Sequence, residues 1–190
     1  TVYVPPLSES GLYSIFLIAR NNIFHADGPD KKCVYVDGFL SGVWDYNTYY
    51  AVNGAGMGFY AHKIKTRLGE WRTTTGQDLN SLETDPRFVD PANDNYHLMS
   101  TGGSLHDGIW LPDPLSSPAI DAGNPEQDIG TESSPNGGRV NQGAYGGTWQ
   151  ASKSRGPNQE PVILFSTEES FVATAGPHAG ELISHGDLLD

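Results

Sequence analysis

The sequence predicts an all-β protein built from stacked coils, with a short helical insertion and a loop-rich C-terminal cap. Three observations point there. Glycine (23) and proline (13) are abundant among the 190 residues, and both interrupt helices. The first third of the chain is rich in β-branched and aromatic side chains bounded by turn residues. Setting residues 18–26 against residues 43–51 aligns Asn22 with Asn47, Phe24 with Tyr49 and Ala26 with Ala51, an offset of 25 within the range of solenoid repeats.

The elements follow in order. Residues 12–24 read as strand, with Ile15 to Ala19 the longest apolar run; a turn follows at Asp27-Gly28-Pro29-Asp30, then a short strand from Cys33 to Val36. A third β-like stretch runs from Val43 to Val52. Stacked coils would repeat at ~4.8 Å, with inward aliphatics over their counterparts and corner asparagines bonded to neighbouring backbone. The competing arrangement is a sandwich of unrelated strands. Residues 63–72 are the best helix candidate, because Ile64, Leu68 and Trp71 fall at i, i+4 and i+7. Thr66 is placed to cap a shorter helix beginning at Arg67, and Gly76 marks the stop.

Beyond Gln77 the aromatic and aliphatic residues stand singly between turns, as in short strands laid across the end of a core. Residues 153–160 are a linker by composition, and residues 161–190, which open with a β run from Pro161 to Phe165, are too few to support a core of their own. The expected organisation is therefore coils and cap over 1–152, a linker over 153–160, and over 161–190 a truncated start of a following module or a disordered tail.

Eleven Lys+Arg against 23 Asp+Glu give a net charge of -12, which disfavours nucleic acid and anionic membranes as partners. No apolar stretch approaches the ~18 residues of a membrane helix. The single cysteine, Cys33, can form neither an internal disulfide nor a zinc site, and reads as a small buried hydrophobe. The chain opens with Thr1 inside a β pattern, so it is expected to be the later part of a longer polypeptide.

Candidate chemistry is sparse. Asp90, Asn93, Asp94 and Asn95 offer the oxygen donors that calcium takes, but without the glycine and glutamate of an EF-hand; an Asx-rich turn bonding its own backbone is the stronger reading. Asp121, Asn124, Glu126 and Asp128 are a second, weaker run, with Asp121 expected to accept backbone N–H bonds in a buried turn. Calcium is the only cofactor these residues bring into question. Lys63, Lys65, Arg67 and Arg72 form the one locally basic stretch, a solvated helix face or a contact for acidic polysaccharide. Trp44, Tyr46, Tyr49, Tyr50 and Tyr60 are either core and coil-corner residues or a sugar-stacking platform. The six histidines lack zinc-motif spacing, and no local nucleophile signature occurs.

A set of short motifs resembles the C-terminal portion of bacterial secreted right-handed parallel β-helix repeat proteins. They are Asn21-Asn22-Ile23-Phe24, Asp45-Tyr46-Asn47, Glu70-Trp71-Arg72, Thr75-Gly76-Gln77-Asp78, Asp85-Pro86-Arg87-Phe88-Val89 and Tyr96-His97-Leu98, then the two longest. Those are Ser117-Pro118-Ala119-Ile120-Asp121-Ala122-Gly123, the most specific, and residues 139–147. The resemblance covers residues 12–152; the tail resembles, more loosely, the start of a further surface-protein module. It implies terminal coils of such a β-helix, finished by a region that protects the last coil. It implies a structural or adhesive role at the cell surface or outside a bacterium, with carbohydrate, other extracellular proteins, the remainder of the parent chain or a partner subunit as contacts. The alternative it implies is a fragment of a polysaccharide lyase or epimerase whose catalytic coils lie upstream. No catalytic residue carries over.

Overall fold

Three sheets of parallel strands form the centre of the fold, and the computed structural model describes residues 2–4, 16–37 and 41–155, with two further short strands at 171–172 and 182–183. The chain visits the sheets in rotation. Strands β2 (Leu17–Arg20), β3 (Ile23–Asp27) and β4 (Lys32–Val36) make one traverse, and β5 (Gly42–Asp45), β6 (Thr48–Val52) and β7 (Gly56–Tyr60) make the next. Each strand pairs in parallel with its successor: β2 with β5, β3 with β6, β4 with β7. Ile18 stands opposite Val43, Phe24 opposite Tyr49 and Ala26 opposite Ala51, so the register is the offset visible in the sequence. β1 (Val2–Val4) joins the free edge of β4, and β9 (Leu82–Glu83) joins β6.

Register is fixed because similar side chains lie over one another. Inside, Phe24 stacks on Tyr49 with centroids 5.2 Å apart. On another row Tyr3, Tyr35 and Phe59 stack at 5.6 and 4.5 Å. The buried core comprises Ala26, Cys33, Val34, Val36, Trp44, Tyr49, Met57, Leu68 and Trp71. Cys33 is buried in β4 as expected, and burial pushes its thiol up to about 11.

After β7 the rotation is interrupted. β8 (Lys63–Lys65) turns back to pair antiparallel with β7, and only then comes helix α1 (Leu68–Thr75). The helix expected over 63–72 is therefore corrected: its first residues form a strand. Ala61 and His62, at φ 53° and 60°, make the tight two-residue turn of a hairpin. Ile64 stays exposed on β8, whereas Leu68 and Trp71 do form the buried helix face. Thr66 does not cap the helix; Glu70 accepts the Thr66 N–H and hydroxyl at 2.8 and 3.2 Å, and Glu83 accepts the Leu68 N–H at 3.0 Å. Gly76 ends the helix in the left-handed conformation at φ 68°, as its position in the sequence indicates. Gly58 on β7 makes room for the helix, since a β-carbon there would lie 2.9 Å from two ring atoms of Trp71.

Two antiparallel hairpins follow: β10 (Phe88–Asp90) with β11 (Asn95–Leu98) around a 3-10 turn at Pro91–Asn93, and β12 (Ser104–His106) with β13 (Ile109–Leu111). From 112 to 155 the chain contains neither helix nor strand. Residues 117–124 and 139–147 pack against the corner between β2 and β3 and its counterpart between β5 and β6. Gln142 Nε2 donates to Tyr46 O at 2.7 Å, Gly143 N–H to Asn21 O at 2.7 Å, and Asn124 N–H to Asn21 Oδ1 at 2.6 Å. This region was expected at the last coil; it instead covers the side of the first two traverses. At the left-handed turns (φ 60° and 56°) Gly143 supplies the donor for the Asn21 carbonyl, while the Tyr46 carbonyl, already bonded to the Asn21 N–H at 3.0 Å, takes Gln142 as a second donor.

Residues 156–190 form a separate unit in which β14 (Phe171–Val172) pairs antiparallel with β15 (Leu182–Ile183). The β run expected at 161–165 and most of the expected linker lie outside the described residues.

Candidate functional site

Among the described residues Asp78 is the most heavily engaged carboxylate. It is 1% exposed, at the turn where the chain re-enters the stack after α1. Its Oδ2 accepts from Tyr49 Oη and Trp71 Nε1, both at 2.9 Å, and its Oδ1 from Asn47 Nδ2 at 2.9 Å and Ser81 Oγ at 2.6 Å. Four neutral donors saturate a buried carboxylate, which is what makes burying it affordable. Burial and the neighbouring Asp78 charge keep the Tyr49 hydroxyl protonated far above the ordinary tyrosine range. With no open face, Asp78 has a structural role: it ties the helix to the second traverse and to the turn that leads into β9.

The corner asparagines feed into this group. Asn47 Oδ1 accepts from the Asn22 backbone N–H at 3.0 Å and from Asn22 Nδ2 at 3.1 Å, while Asn47 Nδ2 also donates to Ala19 O at 2.9 Å. Ser81 continues the row, taking the Asn47 N–H at 2.8 Å.

The residues singled out from sequence do not converge. Trp44 and Tyr49 are fully buried, so neither presents a ring face to a soluble sugar. Tyr46 lies half-buried under the Arg139 guanidinium, 5.5 Å from its ring centroid. Tyr50 is half-buried in a stack with His25 at 5.1 Å, and Tyr60 packs edge-on to Trp71 at 6.1 Å. Lys63 and Lys65 alternate along β8; Arg67 pairs with Glu83 at 2.8 Å, and Arg72 turns inward to Asp78 O at 2.7 Å and Ser81 O at 2.5 Å.

The Asp/Asn run at 90–95 is bonded to its own surroundings. Asn93 Nδ2 donates to Asp90 Oδ2 at 2.7 Å, Tyr96 Oη to Asp94 Oδ1 at 3.4 Å, and Asn95 Nδ2 to Leu105 O at 3.0 Å. In the second run, Asn124 Oδ1 accepts the Glu126 N–H and Asp128 Oδ1 the Gly130 N–H, both Asx turns. Asp121 departs from expectation: its Oδ1 accepts from the Ser154 hydroxyl at 2.8 Å, not from backbone. Among the described residues no group of three or more His, Cys, Asp or Glu is placed to hold a metal ion.

Several polar clusters were not legible in the sequence. Ser104, His106 and Asp113 meet, but Ser104 Oγ and Asp113 Oδ1 both lie 3.0 Å from the same ring nitrogen, His106 Nε2. A hydrolytic triad needs the nucleophile and the carboxylate on opposite nitrogens, so this cluster is not one. Glu132 Oε1 accepts the N–H groups of Asn141 at 2.9 Å and Gly147 at 2.8 Å, and burial pushes its carboxyl above the usual range, as it does for Asp121. Outside the core, a groove of about 360 Å³ lies between β3 and the first hairpin, lined by Asn22, Ile23, His25, Phe88, Tyr96, Gly143 and Ala144. Phe88 and Tyr96 meet there edge to face at 5.4 Å, and no Lys, Arg, Asp or Glu lines it.

Neither a curated protein nor a solved structure matches the chain. The model of one protein family, described as disaggregatase related, matches residues 8–123, which span β2 to β9, α1, both hairpins and the Ser117–Gly123 block. That match covers more than half of the sequence, and the chain belongs to the disaggregatase-related family.

Proposed function

We propose that this chain is a non-catalytic end section of a larger protein: terminal coils of a right-handed parallel β-helix, sealed at one end and open at the other. One contrast carries the reading. In the second traverse Trp44 and Tyr49 are sealed, but their register partners in the first, Ala19 and Phe24, are only partly buried. Among the described residues β2 and β3 each have a strand on one edge only, and of that end only β4 is covered, by β1; the opposite end carries β9, the reversed β8, the helix and the Asp78 group. A preceding coil would cover Ala19 and Phe24 as the second traverse is covered now. Membership of a disaggregatase-related family fits a region that accompanies such a protein. The clusters found here support the non-catalytic part, since each spends its polar atoms on the chain itself.

Hydrogen exchange tests the proposal. Amides of β2 and β3 should exchange faster than those of β6, and become protected when the preceding residues of the parent polypeptide are included. Equal protection in both forms would refute the open end. Release of product from an acidic polysaccharide by this chain, with or without calcium, would refute the non-catalytic role.

A second reading concerns the groove beside β3. Its uncharged lining, paired aromatic rings and the amide of Asn22 suit a neutral ring with an apolar face and a polar rim, such as a saccharide unit. Titration with neutral oligosaccharides, comparing the native chain with Tyr96→Ala, tests that contact; unchanged binding in the variant removes it.

A further inference from the structure

Asparagine followed by glycine is the pair in which the next backbone nitrogen most easily reaches the side-chain amide carbon, because glycine puts no side chain in the way. The sequence contains two such pairs, Asn53–Gly54 and Asn136–Gly137. The fold treats them differently. Asn53 sits in a left-handed turn at φ 52°, and its amide nitrogen donates to Asp27 Oδ1 at 2.7 Å. That charge-assisted bond fixes the group that would have to leave. The Asn136 amide nitrogen is held by the Glu132 carbonyl at 3.2 Å, a weaker neutral contact. Gly137 is exposed, and the Asp121 carboxylate occupies the space beside its Cα: a β-carbon at Gly137 would lie 2.5 Å from Asp121 Cγ. Burial raises the proton affinity of Asp121 above that of an ordinary aspartate, which strengthens it as a base.

We propose that Asn136–Gly137 is a site of intramolecular deamidation, with the Asp121 carboxylate as the base that receives the Gly137 amide proton. The Gly137 nitrogen attacks Asn136 Cγ, the bond from Cγ to the side-chain nitrogen breaks, and the proton held by Asp121 leaves with that nitrogen as ammonia. A five-membered succinimide remains, which water opens to aspartate or isoaspartate. Water is the only co-reactant. The product carries a new carboxylate at the residue held by the Glu132 carbonyl and next to Gly137, against which the Asp121 carboxylate lies, and the isoaspartate form lengthens the main chain just before Asn141. The Asn141 side chain donates to Ser152 O at 2.7 Å and accepts the Asp121 N–H at 2.8 Å, so the change loosens the hold on residues 151–155.

The test is peptide mapping by mass spectrometry with isoaspartate detection, on the full chain aged at neutral pH folded and in urea. In the folded chain Asn136 is expected to convert several-fold faster than Asn53, and in urea the two rates should converge. Asp121→Asn should slow conversion at Asn136 several-fold and leave Asn53 unchanged; Asn136→Gln should abolish it. Faster conversion at Asn53 in the folded chain, or none at Asn136 where the unfolded chain converts, overturns the proposal. An unchanged rate in Asp121→Asn overturns the role of the carboxylate. Should that variant fail to fold, the pH–rate profile of the native chain decides. The preference for Asn136 over Asn53 should fall as Asp121 is protonated, and a constant ratio overturns the assignment.

Discussion

Trp71 Nε1 donates to Asp78 Oδ2 at 2.9 Å, joining the last buried ring of the inserted helix to the residue that returns the chain to its stack. Both are buried, and the same oxygen also accepts from Tyr49. The expected outcome of Asp78→Ala is a loss of about 3–5 kcal/mol, because four buried donors lose their acceptor at once. Trp71→Phe removes one donor and replaces the buried indole by a smaller ring, leaving a cavity; its cost should be about 2–3 kcal/mol. Urea denaturation followed by tryptophan fluorescence measures both. A loss under about 1 kcal/mol in Asp78→Ala would show that the carboxylate is not the tie described.

The two corner asparagines should be unequal. Asn47 is buried and bonds both to Ala19 of the first traverse and to Asp78 ahead of β9, whereas Asn22 is partly exposed and bonds to its own traverse and the next. Asn47→Ala is expected to cost about 2–3 kcal/mol and Asn22→Ala about 1 kcal/mol or less. Equal losses in thermal denaturation would place the row's stability elsewhere.

Glu132 provides a pH signature. Its proton affinity is raised by burial, so the protonated form favours the fold. That stabilisation is complete below the ordinary glutamate value of about 4.3 and is lost as pH rises through the higher folded value. Glu132→Gln keeps a carbonyl oxygen for the Asn141 and Gly147 N–H groups but carries no charge. Its stability relative to the native chain should therefore grow as pH rises from 4 to 7, on the order of 1 kcal/mol. Parallel stability–pH curves for the two proteins would contradict this.

Gly58→Ala forces a methyl group toward the Trp71 ring. Overpacking of this kind costs about 1–3 kcal/mol and should alter the emission of Trp71. Gly69, on the exposed side of α1, has open space around it, so Gly69→Ala should be neutral or stabilising by about 0.5–1 kcal/mol.

The parallel register was legible because it rests on repetition: Phe24 over Tyr49 and Asn22 beside Asn47 recur at a fixed spacing. The helix boundary was not. Ile64, Leu68 and Trp71 satisfy a helical period, but Ile64 also alternates with Lys63 and Lys65, and a three-residue strand is too short for its period to tell against a helix. Ala61 and His62 give no warning of a tight hairpin, since the left-handed turn they form is usually written with glycine or asparagine. The aromatic residues were recognised as either core or sugar platform, and burial decides for core at Trp44 and Tyr49. The groove escaped notice because His25, Phe88 and Gly143 are brought together from three distant segments with no common spacing. The Asp78 group escaped for the same reason: its donors come from positions 47, 49, 71 and 81.

The reversal of β8 gives its sheet a finished edge. A further strand running with β7 would meet β8 antiparallel, out of step with the parallel pairing elsewhere in that sheet, and the lysines flanking Ile64 make that rim unwelcoming to apolar company. In the neighbouring sheet β9 still joins β6 in parallel, so the hairpin closes one face of the three and leaves the others as they were.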